Sequence, residues 1–279
     1  MTADDNSRAV LVTGAAGGLG SVMTKALLGD GHCVAAVDRD GAALERLAAA
    51  VAPHGERLLP LTAELSDIAP CVDAVTKTVA RFGRLEGIVN NAGIGMGAIR
   101  PDAEKNHPGI EELSPEIWDR FFAVNVRAPM LIARAGLPHM RKAGWGRIVN
   151  NTTSYRTMLR VLPYGATKSA LESMSAVWAE ELKDTGITVN VLVPGGPTDT
   201  PFVSGQAGWP RAEMLRPEIM GPPARWLMSD ASNGFTGHHV TAADWDKSLP
   251  PAEAAHKASR GIGWPELAAQ TAWWPSGNP

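Results

Sequence analysis

Tyr164 and Lys168 bound the segment YGATK, which opens a long stretch with helical apolar spacing. Residues four apart share one face of a helix, so a phenol and an ammonium placed this way occupy one small volume. A phenol titrates at about 10 in water and exchanges few protons at neutral pH, whereas a nearby cation favours the phenolate. The pair suits general acid–base work, although the same spacing also occurs on ordinary helix surface. A second pattern, TGAAGGLG, contains Gly14, Gly18, Leu19 and Gly20. Glycines at such a turn let the backbone approach a pyrophosphate, which then rests on the N–H groups at a helix start. Asp38 follows twenty residues after Gly18. A carboxylate there can hold ribose hydroxyls and repel a 2′-phosphate, which favours NAD over NADP, while Arg39 beside it pulls the other way.

These groups need a scaffold with strands ending beside helix starts. AVLVTG, CVAAVD, RLLPLTAEL and EGIVNNAG read as buried strands, separated by helix-period segments such as LGSVMTKALLGDG and GAALERLAAAVAPHG. A long helix containing PEIWDRFFAVNVRAPMLIARAGLPHM comes next, then a strand RIVNN, the helix from Tyr164 and a strand ITVNVLVPGG. A last helix–strand pair lies near PEIMGPPARWLM and GHHVTA. Short apolar strands alternating with helices predict an α/β fold, a doubly wound parallel sheet of Rossmann type. One domain over residues 1–245 is expected, with 98–109 as a polar loop after the fourth strand. The Pro- and Trp-rich stretch 246–279 is patterned for neither helix nor strand over most of its length and reads as an extension of the same domain. Its Trp264, Trp273 and Trp274 are expected to pack on the domain surface or on a neighbouring subunit.

Composition narrows the function classes. The chain has 279 residues, 44% of them hydrophobic and 20% charged, with a net charge of -3. That charge argues against a nucleic-acid surface. MTADDNSRAV is too polar and acidic for a secretory signal, and no apolar run approaches a membrane span. Cys33 and Cys71, without a CxxC motif, fit a reducing cytoplasm. His238 and His239 are adjacent, the wrong spacing for two ligands on one helix face, so no metal site is expected.

Taken in order, TGxxxGxG, Asp38, NNAG at Asn90–Gly93 and YxxxK at Tyr164–Lys168 resemble the short-chain dehydrogenase/reductase family over about residues 8 to 245. The resemblance implies an NAD(P)-dependent oxidoreductase that moves a hydride between nicotinamide and a secondary alcohol or ketone. Tyr164 would be the acid/base, and Lys168 would lower its pKa and bind the nicotinamide ribose. Asn125, in FAVNV, matches the asparagine that supports a water-linked proton relay to that lysine. Asn91, Ala92 and Gly93 would floor the cofactor site, and Glu64, followed by Leu65, stands where the family has an adenine-contacting Asp. Pro194 and Gly195 match the strand end whose backbone meets the nicotinamide. Three residues on, the family offers an N–H that Pro197 lacks; a one-residue shift would pass the task to Thr198 and leave Thr200 near the phosphates.

The family's active-site serine has two candidates here. The common spacing of thirteen residues before the tyrosine falls on Asn151, whereas the register of GRIVNNTTS points to Thr153. Ser154 keeps the usual residue type but needs a bulge, because one step along a strand reverses the face. Tyr155, Arg156 and Arg160 fall where relatives line the substrate pocket, which raises an anionic or polyhydroxylated substrate; solvated loop residues would look the same. An oxidised NAD pool favours alcohol oxidation as the working direction. The family also implies a homodimer or homotetramer, for which Leu171, Met174, Val177, Trp178 and Leu182 offer an apolar stripe. A non-redox or cofactor-sensing relative is the alternative, but it would have lost the glycine loop, the tyrosine or the lysine.

Overall fold

The computed structural model describes residues 7–266. The chain alternates strand and helix: β1 (Ala9–Thr13), α1 (Gly18–Gly29), β2 (Cys33–Asp38), α2 (Gly41–Ala50), β3 (Leu58–Thr62), α3 (Ile68–Phe82) and β4 (Gly87–Asn90). It continues with α4 (Pro115–Phe122), α5 (Ala128–Ala143), β5 (Gly146–Asn150), α6 (Tyr155–Met158), α7 (Tyr164–Glu181), β6 (Ile187–Val193) and α8 (Gly221–Leu227). Then come β7 (His238–Thr241), α9 (Pro251–Lys257) and β8 (Ser259–Gly261). The strands form one sheet in the order β3-β2-β1-β4-β5-β6-β7-β8. Strands β1 to β7 pair in parallel, and β8 is antiparallel to β7.

Alternation along β1 explains the layers. Val10 and Val12 join one core cluster with Met23, Leu27 and Leu28 of α1, while Leu11 joins a second with Cys71 and Val75 of α3. Successive side chains of a strand point to opposite faces, so a wholly apolar strand requires helices on both. The chain reverses its winding between β1 and β4, and the carboxyl ends of the strands open a crevice there.

One sequence expectation needs correction. The stretch read as one long helix is broken by a π-helical segment at Ala123–Arg127. Pro129 has no N–H to give the carbonyl of Asn125, four residues before it, so the α-helical ladder fails at that point. Within the stretch from 246 onward, α9 and β8 are short regular elements, and β8 extends the sheet by backbone pairing with β7. Three-residue β8 carries no period that a sequence pattern could register. Trp264 packs against Tyr155 in a tilted arrangement with ring centroids 5.7 Å apart; Trp273 and Trp274 lie outside the described residues.

Candidate active site

A cavity of about 1040 Å³ runs along the carboxyl ends of the strands. Gly14, Gly18 and Leu19 line one part, with Asp38, Arg39, Glu64, Leu65, Asn91, Ala92 and Gly93. Gly18 has no room for a larger residue, because a Cβ there would overlap the Thr200 methyl group. Thr200 thus sits directly on the glycine turn. Gly20 does not face the cavity; a Cβ there would overlap the Gly14 carbonyl oxygen, so its task is to let α1 pack against the turn. The Asp38 carboxylate accepts from the Ala16 N–H (3.0 Å) and the Asp40 N–H (3.2 Å). Each of its oxygens keeps a lone pair for a ribose hydroxyl.

Asparagines tie the strand ends together. The Asn91 amide donates to the carbonyls of Thr13 (2.9 Å) and Gly14 (3.1 Å), and its oxygen accepts from the Asn151 amide (2.9 Å). Pro194, Gly195, Pro197, Thr198 and Thr200 line the facing wall. Leu215 donates its N–H to the Pro197 carbonyl and accepts from the Asp199 N–H, which leaves the Thr198 N–H without an acceptor among the described residues. The lining fits a dinucleotide: a tight glycine turn, a carboxylate at the end of β2, and a backbone donor where Pro197 has none.

Tyr164 and Lys168 line the same cavity from the first turn of α7, and Thr153 and Ser154 line it from the end of β5. The Thr153 hydroxyl lies close enough to the Tyr164 phenol to favour its ionised form. Ser154 is committed elsewhere: its oxygen caps α6 by accepting the Thr157 N–H (3.2 Å), and it meets the Thr157 hydroxyl at 3.0 Å. Lys168 is buried, donates to the Asn151 carbonyl (2.7 Å) and holds its ammonium 5.7 Å from the centroid of the Tyr164 ring.

The electrostatics differ from the sequence expectation. Burial pushes the Tyr164 phenol up to about 12 against the lowering effect of the nearby Thr153 hydroxyl. Burial also pulls the Lys168 ammonium down to about 8. A lysine that depressed the phenol was expected; burial of both groups instead shifts each toward its neutral form.

Asn125 does not face the cavity. It is fully buried, accepts from the Ile94 N–H (2.8 Å), and donates to the Ile94 carbonyl (3.0 Å) and the Thr167 hydroxyl (3.0 Å). It therefore fixes the loop after β4 against α7, and its position falls within the π-helical segment. Tyr155 also departs from its expected place: its hydroxyl donates to Glu172 (3.1 Å) and to the Gly261 carbonyl (3.3 Å), away from the pocket. Arg156 and Arg160 do line the cavity, together with Glu104, Lys105, His107 and Arg120. None of these five basic residues forms an ion pair among the described residues. Phe202, 47% exposed, approaches Tyr164 with a centroid distance of 6.0 Å. Phe202 and the 104–107 residues escape sequence reasoning because they sit in irregular loops that only tertiary packing folds over the site.

Comparison with known proteins agrees with this geometry. The short chain dehydrogenase family pattern matches residues 8–209. The 2,5-dichloro-2,5-cyclohexadiene-1,4-diol dehydrogenase of Sphingobium indicum is 32% identical over 82% of this chain and 92% of its own. D-beta-hydroxybutyrate dehydrogenase of Cupriavidus necator is 30% identical, covering 83% of this chain and 95% of its own. Among solved structures, the 3-ketoacyl-(acyl-carrier-protein) reductase of Brucella melitensis complexed with NADH matches with a TM-score of 0.70 and 30% identity, over 82% of this chain and 93% of that one. With the glycine turn, the asparagine-stitched strand ends and the Tyr164–Lys168 pair in one cavity, the chain belongs to the short chain dehydrogenase family.

Proposed function

We propose that this oxidoreductase uses NAD in preference to NADP and acts on secondary alcohols or ketones that carry an anionic group. The observation that carries the reading is the contact between the Tyr164 phenol and the Thr153 hydroxyl above buried Lys168, in the cavity that the glycine turn also lines. A nicotinamide bound in that cavity supplies the hydride acceptor or donor. Thr153 orients the substrate oxygen, and Tyr164 exchanges a proton with it. Lys168 holds the Asn151 carbonyl and stabilises the phenolate that proton transfer creates. Asn125, which fixes the loop after β4 against α7, supports a water-linked path toward Lys168. Asp38 supports the NAD preference, since its carboxylate would repel a 2′-phosphate. The unpaired Lys105, Arg120, Arg156 and Arg160 support an anionic substrate, and the matched hydroxybutyrate dehydrogenase is named for one. We also infer assembly into a homodimer or homotetramer, supported by Val177, which is 61% exposed on α7. Free Cys33 and Cys71 suit a cytoplasmic setting.

The test is a panel of hydroxy acids, sugars and neutral cyclic alcohols offered with NAD or NADP, read as reduced cofactor formed. Hydroxy acids should react fastest, with NAD favoured, and Asp38→Ala should narrow that preference. Tyr164→Phe should keep NAD binding and lose about 10²–10⁴-fold in rate. Failure of every alcohol, or a Tyr164→Phe rate within about twofold of wild type, would overturn the assignment. Equal rates with neutral alcohols would remove the anionic substrate alone.

A further inference from the structure

A buried carboxylate outside the cavity has no part in the proton transfer at Tyr164. Glu172 stands one turn beyond Lys168 on α7 and is 0% exposed. Burial opposes its charge, yet hydrogen bonds from His239 and Thr152 and the N–H of Gly263 hold its pKa below the usual carboxylate value. The Thr152 hydroxyl donates to Oε2 at 2.8 Å. Three further groups converge on Oε1: His239 Nδ1 at 2.8 Å, the Tyr155 hydroxyl at 3.1 Å and the Gly263 N–H at 3.2 Å. Removing a carboxylate from water is costly unless such partners surround it. Here they come from the end of β5, from α6, from β7 and from the chain just after β8.

Thr152 links this cluster to the reacting groups. The β5 ladder ends with Asn151, whose N–H donates to the Asn90 carbonyl (2.9 Å). Beyond it, no backbone hydrogen bond holds Thr152 or Thr153 among the described residues. Side chains of α7 hold this short stretch instead: Lys168 grips the Asn151 carbonyl, and Glu172, one turn on, grips the Thr152 hydroxyl. The next hydroxyl along, that of Thr153, meets Tyr164.

We infer that Glu172 is a positioning residue for the reaction proposed above, and the inference rests on that reading. It fixes Thr152 so that the Thr153 hydroxyl stays against the Tyr164 phenol. Through His239 and Gly263 it also makes the C-terminal part of the chain, beyond the family-matched residues 8–209, a support for the active site.

Glu172→Gln keeps the shape but turns one acceptor into a donor facing other donors. With the best alcohol of the panel, its kcat should fall about tenfold or more, as misplaced reacting groups do. The NAD Kd, measured by calorimetry, should stay within about threefold. Thr152→Val should reproduce the loss, Thr152→Ser should keep wild-type kcat, and the double variant Glu172→Gln/Thr152→Val should be no worse than either single one. Ser232→Ala removes a buried hydroxyl bonded to Arg147 at the opposite end of β5 (3.2 Å) and should lower Tm while leaving kcat unchanged. Wild-type kcat in Glu172→Gln or Thr152→Val, or additive losses in the double variant, would overturn the inference while leaving the proposed function intact. A wild-type protein that oxidises no alcohol would overturn the proposed function and this inference with it. Should Glu172→Gln fail to fold, the contrast between Thr152→Val and Thr152→Ser decides the matter.

Discussion

Tyr164 and Lys168 are shifted toward each other's neutral forms, the phenol up to about 12 and the ammonium down to about 8. As pH rises, the pair gives up its first proton at about 8. The state with one proton fewer is mainly the neutral amine beside the phenol, with a phenolate beside an ammonium as its minor tautomer. This form is competent as a base, whereas the fully protonated pair is competent as an acid. Alcohol oxidation should therefore rise through about pH 8 and ketone reduction should fall through the same point. In Lys168→Met the rise in oxidation should move upward, toward the phenol's own value of about 12. Initial rates in both directions across the alkaline range check this, and an oxidation profile that stays flat through that range would contradict it.

At the scale of elements, the decisive place is the junction between β5 and α6. Strand β5 ends at Asn150, and the four residues before α6 belong to no strand. Alternation along β5 therefore cannot choose between Thr153 and Ser154. A short helix starts here, its first turn needs an oxygen to accept its free N–H, and Ser154 supplies it. Thr153 is left facing Tyr164. Thr153→Ala should lose at least about tenfold in turnover. Ser154→Ala should stay near wild type in turnover but lose about 0.5–2 kcal/mol of stability with its cap. Thermal melts together with steady-state rates separate the two, and full activity in Thr153→Ala would remove that hydroxyl from the site. The π-helical segment follows a similar logic: Pro129 breaks the ladder where Asn125 must hold the loop after β4.

Across the whole molecule, α7 serves both the site and the exterior. Leu171 and Leu182 are buried in the core, while Val177 is 61% exposed, so the apolar stripe is wider than the core needs. A surface groove of about 800 Å³ beside it is lined by Phe122, Val126, Met130 and Met174, among others. Light scattering should give a dimer or tetramer, and Val177→Glu should shift the population toward smaller species by placing a charge in an apolar contact. A monomeric wild-type protein would refute the assembly.

The sequence alone determined what depends on local spacing. Alternation of apolar strands and helices specified a parallel sheet covered on both faces, because each strand buries both of its sides. The glycine turn, Asp38 at the end of β2, and the Tyr164–Lys168 turn of α7 are likewise set by offsets within one or two elements. Tertiary structure decided what depends on burial and on distant partners. Desolvation, which no spacing encodes, reversed the expected effect on the Tyr164 phenol. Tyr155, expected at the pocket, was drawn away by Glu172 and Gly261, the latter 106 residues distant. The Glu172 carboxylate joins His239, 67 residues on, to Gly263, 91 residues on. Those contacts exist only once β7 and β8 close the edge of the sheet against α7.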